Sequence, residues 1–131
     1  MKKIGIMNSE ISTIISKLGH TDRIVICDAG LPIPDGVKRI DVALKAGLPS
    51  FLDVLQVILE EMQVERIHYA NEMIEVSPAL YEKMKQELPH VEENIISHEE
   101  FKKRTNEAKA IIRTGECTPY ANVILEAGVT F

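Results

Sequence analysis

Ile24-Val25-Ile26-Cys27, running straight into Asp28-Ala29-Gly30, is the stretch on which the fold turns. Four consecutive apolar residues, three of them β-branched, predict a short strand buried on both faces, as inside a parallel sheet. Beyond its end lies Leu31-Pro32-Ile33-Pro34-Asp35-Gly36, a loop stiffened by two prolines. Working back from the strand, Asn8 stands where it can cap a helix whose Ile11, Ile14, Ile15 and Leu18 repeat at i, i+3, i+4 and i+7. Gly19 is expected to stop that helix. Working forward, Arg39 to Val42 reads as a strand, and Pro49 opens a helix with Phe51, Leu52, Leu55, Ile58, Leu59 and Met62 on a wide apolar face.

The alternation continues to the end of the chain. Arg66 to Ala70 reads as a strand, and Ser77-Pro78 starts a helix carrying Leu80, Met84 and Leu88. Ile95-Ile96 is a brief strand leading into Ser97-His98-Glu99-Glu100, where Ser97 and Glu100 have capping-box spacing. Ala110-Ile111-Ile112 and Val123-Ile124-Leu125 supply the last strands. Such alternation predicts an α/β fold, a three-layer domain with a largely parallel central sheet and helices on both faces. There is no internal repeat and no low-complexity linker, so residues 1–131 are expected to form a single domain.

Bulk properties narrow the function classes. The 131 residues are 45% hydrophobic and 27% charged, with a net charge of -5, a balance that suits a folded chain and not a disordered one. The arginines are scattered without a basic stripe, which argues against a nucleic-acid partner. No apolar run approaches the roughly 18 residues of a membrane span. Met1 to Met7 begins basic, but Asn8-Ser9-Glu10 ends the apolar stretch far short of a signal-peptide core, so a cytoplasmic location is expected. Cys27 and Cys117 lie outside any CxxC spacing and are expected to be small core residues. Phosphate-binding glycine loops, nucleophile elbows and HExxH motifs are absent. No cofactor or catalytic metal is therefore expected.

Several polar residues sit where chemistry is plausible. Asp28 directly follows the first strand, where polar groups line the ligand crevice of layered α/β folds, or else it only caps the Ala29-Gly30 turn. His20, in the turn Gly19-His20-Thr21-Asp22, is a group able to donate and accept protons near neutrality. His98 opens a capped helix, where the helix dipole disfavours an imidazolium. A neutral ring there either bonds a ligand hydroxyl or is simply an exposed first-turn residue. His68 lies within a strand and His90 in a polar turn, and neither is given a role. Arg113-Thr114-Gly115-Glu116-Cys117-Thr118-Pro119-Tyr120-Ala121-Asn122 gathers polar and turn-forming residues between two apolar runs. It is either a structural loop or a surface for sugar hydroxyls.

Three segments together resemble the D-ribose pyranase and fucose mutarotase family along essentially the whole chain. They are Leu18-Gly19-His20-Thr21-Asp22, Cys27 to Pro34, and Ile112 to Asn122. The Gly36 to Pro49 segment and the ending Val129-Thr130-Phe131 look like the ribose branch. The resemblance implies an enzyme that interconverts pyranose and furanose forms of D-ribose without cofactor. It implies His20 as catalytic acid and Asp28, His98, Tyr120, Ala121 and Asn122 as sugar-binding positions. Lys102, one turn after His98, is a further candidate for a ligand contact. The family's ring-shaped homo-oligomers, decamers of two stacked pentamers with sites shared between subunits, are implied in the same way.

The chemistry agrees with these residue types. Opening a pyranose needs a proton on the ring oxygen and loss of one from the anomeric hydroxyl, which His20, with Asp28 to orient it or share its proton, is expected to manage. Two alternatives remain at this point. One is a non-catalytic sugar-binding or regulatory subunit of a ribose transport system, which needs no titrating group at position 20. The other is a fucose mutarotase, within the same enzyme class.

Overall fold

The computed structural model describes residues 1–131. The elements in chain order are α1 (Ser9–Lys17), β1 (Arg23–Cys27), β2 (Lys38–Asp41), α2 (Phe51–Leu59), β3 (Val64–Ala70), α3 (Asn71–Val76), α4 (Pro78–Glu87), β4 (Glu92–Ile96), α5 (His98–Arg104), β5 (Ala110–Arg113) and β6 (Val123–Ala127). A single 3-10 turn, Thr105–Glu107, follows α5. All six strands join one sheet in the order β2-β5-β1-β6-β3-β4. Five strands run the same way. Only β6 is reversed, antiparallel to both β1 and β3.

Strand β1 is central and its last four residues are fully buried. Its alternating side chains feed two cores, as the period of two requires. Ile24 and Ile26 join a large cluster with Ile11 of α1, Phe51, Leu55 and Ile58 of α2, Met73 of α3 and Met84 of α4. Val25 and Cys27 face the other way, into a six-residue cluster with Leu31, Ile111, Ile124 and Phe101 of α5. The sheet is thus covered on both faces, thickly by four helices and thinly by α5. Burial pushes the Cys27 thiol up to about 12, so it is a protonated core residue. Cys117 is exposed, contrary to expectation, because it rides a loop outside both clusters.

Local capping follows the sequence closely. The Asn8 side chain accepts from the Ile11 amide, Ser50 from Asp53, and Ser97 from Glu100. Two details differ. Gly19 does not close α1 in a left-handed turn. Leu18 caps the helix in an extended conformation, and the positive φ of the following turn falls on Thr21. Pro49 precedes the Ser50 cap and lies outside α2, whereas Pro78 does occupy the first turn of α4.

Candidate active site

The chain leaves β1, β3, β4 and β5 at one edge of the sheet, and the reversed β6 enters from it. Asp28 after β1, Glu72 after β3, His98 after β4 and Tyr120 before β6 therefore meet there. This is the carboxyl-end position where layered α/β sheets hold ligands. A half-open cleft of about 280 Å³ is lined by Asp28, Gly30, Leu31, Pro32, His98 and Tyr120, with Pro119 at its rim. A second depression shares Asp28, Gly30 and Pro119 and extends the cleft toward Glu116 and Thr118. A separate groove beside α1 and α2 is apolar apart from Asp53 and offers no converging polar groups.

Asp28 answers to both of its sequence readings. Its Oδ1 accepts from the Gly30 amide at 2.9 Å, closing the turn, while the same carboxylate lines the cleft. Asn122 braces it: the Asn122 Oδ1 accepts from the Asp28 amide at 2.9 Å, and its Nδ2 donates to Asp28 Oδ2 at 3.2 Å. Asn122 is 1% exposed, so it acts on the cleft through Asp28.

His98 forms the opposite wall. Its backbone N–H donates to Glu72 Oε2 at 3.0 Å, tying the start of α5 to the start of α3. Its ring stands edge-on to Tyr120 at 5.0 Å and lies nearly parallel to Phe101 at 6.4 Å. The ring Nδ1 is buried and has no hydrogen-bond partner. Tyr120 itself has φ +61°, a left-handed conformation that L side chains rarely adopt. Such strain clusters at functional sites, held by its surroundings.

Those surroundings are the loop from Arg113 to Pro119. The Thr114 hydroxyl donates to the Cys27 carbonyl at 2.7 Å, and the Ala29 amide to the Glu116 carbonyl at 2.8 Å. Glu116 Oε1 accepts from the Phe51 amide, and its Oε2 from the Thr118 hydroxyl. Ser77 donates to the Pro119 carbonyl at 2.7 Å. Gly115 is required by a close approach: a Cβ there would lie 2.3 Å from the Leu48 carbonyl oxygen.

The remaining sequence candidates fall elsewhere. Ala121 is fully buried in the large core. Lys102 pairs with Glu99 at 2.7 Å on α5 and is not among the cleft-lining residues. His20 lies at the opposite edge of the sheet, before β1, where its Nε2 meets both Glu65 carboxylate oxygens at 2.9 Å. At about 3.3 Å per residue, β1 alone separates the two edges by roughly 16 Å. The expected His20–Asp28 pair is therefore not made within one chain. Sequence reading passed over Glu65 and Glu72. Glu72 carried the same strand-end signal as Asp28, whereas nothing in the sequence linked Glu65 to His20.

It also left His68 without a role. Buried at 2% exposure, His68 donates from Nε2 to Glu126 at 3.0 Å, because its Nδ1 accepts from Asn94. Arg23 donates to the same Glu126 carboxylate at 2.8 Å. No group of three or more His, Cys, Asp or Glu side chains is placed to hold a metal ion. No helix is long and apolar enough to cross a membrane.

Comparison with known proteins agrees along the full length. The chain is 55% identical over 139 residues to a D-ribose pyranase of Vibrio vulnificus (strain YJ016), and 56% identical over 131 residues to one of Bacillus cytotoxicus. In both cases 100% of each chain is covered. Its fold matches that of Bacillus subtilis RbsD complexed with D-ribose with a TM-score of 0.97, at 53% identity over 100% of both chains. A fucose mutarotase from Streptococcus pneumoniae in complex with L-fucose matches at TM-score 0.78 and 25% identity, with 95% of each chain covered. The model of the RbsD / FucU transport protein family matches residues 1–130, and with these relatives it shows that the chain belongs to that family.

Proposed function

We propose that this chain is a D-ribose pyranase, an isomerase that opens the pyranose ring of ribose and recloses it as the furanose. The observation that carries this reading is the full-length likeness to D-ribose pyranases at 55% and 56% identity. Ribose is favoured over fucose because the fucose mutarotase is only 25% identical.

In the proposed mechanism the sugar lies in the cleft between Asp28 and His98. Protonated His20 delivers its proton to the ring oxygen O5 as the C1–O5 bond breaks. The anomeric hydroxyl, hydrogen-bonded to the Asp28 carboxylate, gives up its proton and becomes the C1 aldehyde. The O4 hydroxyl then adds to C1, passing its proton to the now neutral His20, while the aldehyde oxygen regains one from Asp28. Protons balance over the cycle, and no atom is oxidised or reduced. His98, with an unpaired ring nitrogen, and the Tyr120 hydroxyl hold the remaining hydroxyls and keep the open chain folded for reclosure. Lys102 reaches the sugar only if it leaves Glu99.

Asp28 and His20 stand at opposite edges of the sheet, so the acid must come from another copy of the chain. One edge of one copy then docks on the opposite edge of the next. Such a head-to-tail contact is heterologous and closes into a ring when the rotation permits. This supports a ring-shaped homo-oligomer with shared sites, a decamer by the family resemblance. Two unpaired cysteines suit a reducing compartment and hence the cytoplasm.

Mixing two inactive variants tests the sharing. In oligomers reassembled from equal amounts of His20→Ala and Asp28→Ala chains, about a quarter of the head-to-tail interfaces unite an intact cleft with an intact His20. Exchange activity is expected to return to that fraction. No recovery in verified mixed oligomers would contradict a shared site. Because proton transfer by His20 and Asp28 suffices to open and reclose the ring, exchange is also expected to survive exhaustive EDTA treatment and dialysis. Activity lost to EDTA and restored by zinc or magnesium would overturn the cofactor-free mechanism.

A further inference from the structure

We infer that Glu65 is the positioning residue of the catalytic acid, holding His20 by Nε2 so that Nδ1 is the nitrogen that trades protons with the sugar. The inference rests on the reading of His20 as the acid. Its basis is local geometry at the edge of the sheet away from the cleft.

Both carboxylate oxygens of Glu65 converge on the one nitrogen, His20 Nε2, at 2.9 Å. A carboxylate only accepts, so in the neutral ring Nε2 carries the hydrogen and Nδ1 is the free lone pair. Fixing one ring nitrogen in this way sets the tautomer and the direction of the other, as the buried carboxylate does in a Ser-His-Asp triad. As the imidazolium forms, the same carboxylate lies against its charge.

The mounting on both sides is rigid, although the pair itself is half exposed, at 52% for the His20 side chain and 39% for Glu65. His20 sits in a turn closed by the Gly19 amide donating to Asp22 Oδ2 at 2.8 Å and by the Asp22 amide donating to the Gly19 carbonyl at 3.1 Å. That turn is sewn to the end of β6 by the Thr21 amide on the Ala127 carbonyl and the Ala127 amide on the Asp22 carbonyl. Thr21 holds φ +70°, a strained conformation at the residue next to His20. Glu65 leaves β3 beside Gly128, where a Cβ would approach the Glu65 Cβ to 3.0 Å. Glycine at 128 is what gives the Glu65 side chain its room. An exposed ion pair contributes little to stability. Two backbone devices spent on such a pair point to orientation as its role.

The test uses the full-length assembled protein, with ring exchange of D-ribose followed by NMR at several ribose concentrations. Glu65→Ala is expected to lower kcat by up to about 10²-fold, the usual effect of a misplaced catalytic group, with KM nearly unchanged. Glu65→Gln, which can still accept from Nε2 but carries no charge, is expected to fall between Glu65→Ala and the parent. Side-chain 15N shifts of His20 in the unmodified protein at alkaline pH are expected to report the Nε2–H tautomer, and in Glu65→Ala a mixture. Parental kcat in Glu65→Ala overturns the inference, as does a dominant Nδ1–H tautomer in the unmodified protein. The tautomer measurement decides the matter even if the variants fail to assemble. If His20→Ala also exchanges ribose at the parental rate, the assignment of the acid fails, and not merely its positioning.

Discussion

Replacing His20 with alanine is expected to slow ribose ring exchange by roughly 10² to 10⁴, the usual worth of a general acid. Fold and assembly should persist. His20 is exposed, its ring takes no part in either hydrophobic cluster, and the turn that carries it is closed by backbone groups and Asp22. Ribose affinity should fall much less, because the cleft residues Asp28, His98 and Tyr120 lie at the other edge of the chain. His20→Gln should behave like His20→Ala, since an amide hydrogen-bonds but delivers no proton near neutrality. Exchange rate and ribose titration on the same purified variants check this. Unaltered exchange in both variants would remove His20 from the mechanism.

The largest expected effect on stability comes from Glu126→Ala, at about 1 to 3 kcal/mol, the usual cost of leaving a buried donor without its acceptor. Glu126 is 3% exposed yet carries the hydrogen bonds of His68 and Arg23, with Arg66 also near it at 3.5 Å. Truncation leaves the buried His68 N–H without its acceptor and takes the carboxylate partner from the partly exposed Arg23 guanidinium. Glu126→Gln keeps an acceptor for His68 and should cost less. Urea unfolding at fixed protomer concentration measures both, and equal midpoints for all three proteins would contradict the account.

The same cluster sets a pH dependence. Burial holds the His68 pKa below the usual imidazole value, with the Arg23 and Arg104 charges adding to it and the Glu126 hydrogen bond opposing. For Glu126, burial alone would raise the pKa, but the His68 and Arg23 hydrogen bonds and charges outweigh it and the net shift is downward. Both groups thus bind protons more readily in the unfolded chain, so stability falls as pH falls. The His68 part is complete above about pH 6.5 and declines below it, and the Glu126 part declines below about pH 4.3. His68→Leu is expected to flatten the upper portion of that fall. Stability that rises on acidification from neutral pH would contradict the sign.

The architecture was legible where local rules suffice. The continuous apolar run of β1, the Asn8 and Ser97 caps and the proline opening α4 all depend on residues within a few positions of one another. The direction of β6 was not, because Val123-Ile124-Leu125 reads the same parallel or antiparallel. That reversal has consequences for the site. It brings Asn122 against Asp28, and it pairs Arg23 with Glu126 across the sheet, which puts Glu126 within reach of His68. Tyr120-Ala121-Asn122 looked like one binding segment. Its three side chains separate as the chain enters β6, the tyrosine to the cleft, the alanine to the core and the asparagine to a buried brace. His20 and Asp28 looked like partners because they flank one strand. Flanking a strand puts two residues at opposite ends of it, and in the proposed mechanism a second copy bridges that distance.

Ring exchange of D-ribose itself tests the central claim most directly. In saturation-transfer NMR, irradiating a furanose anomeric proton in the presence of the assembled protein is expected to diminish the pyranose signals. His20→Ala at equal concentration should leave them at the level of buffer alone. Pyranose signals unaffected by the unmodified protein, under conditions where ribose titration shows it bound, would contradict the enzyme reading and leave a sugar-binding protein that does not turn its ligand over.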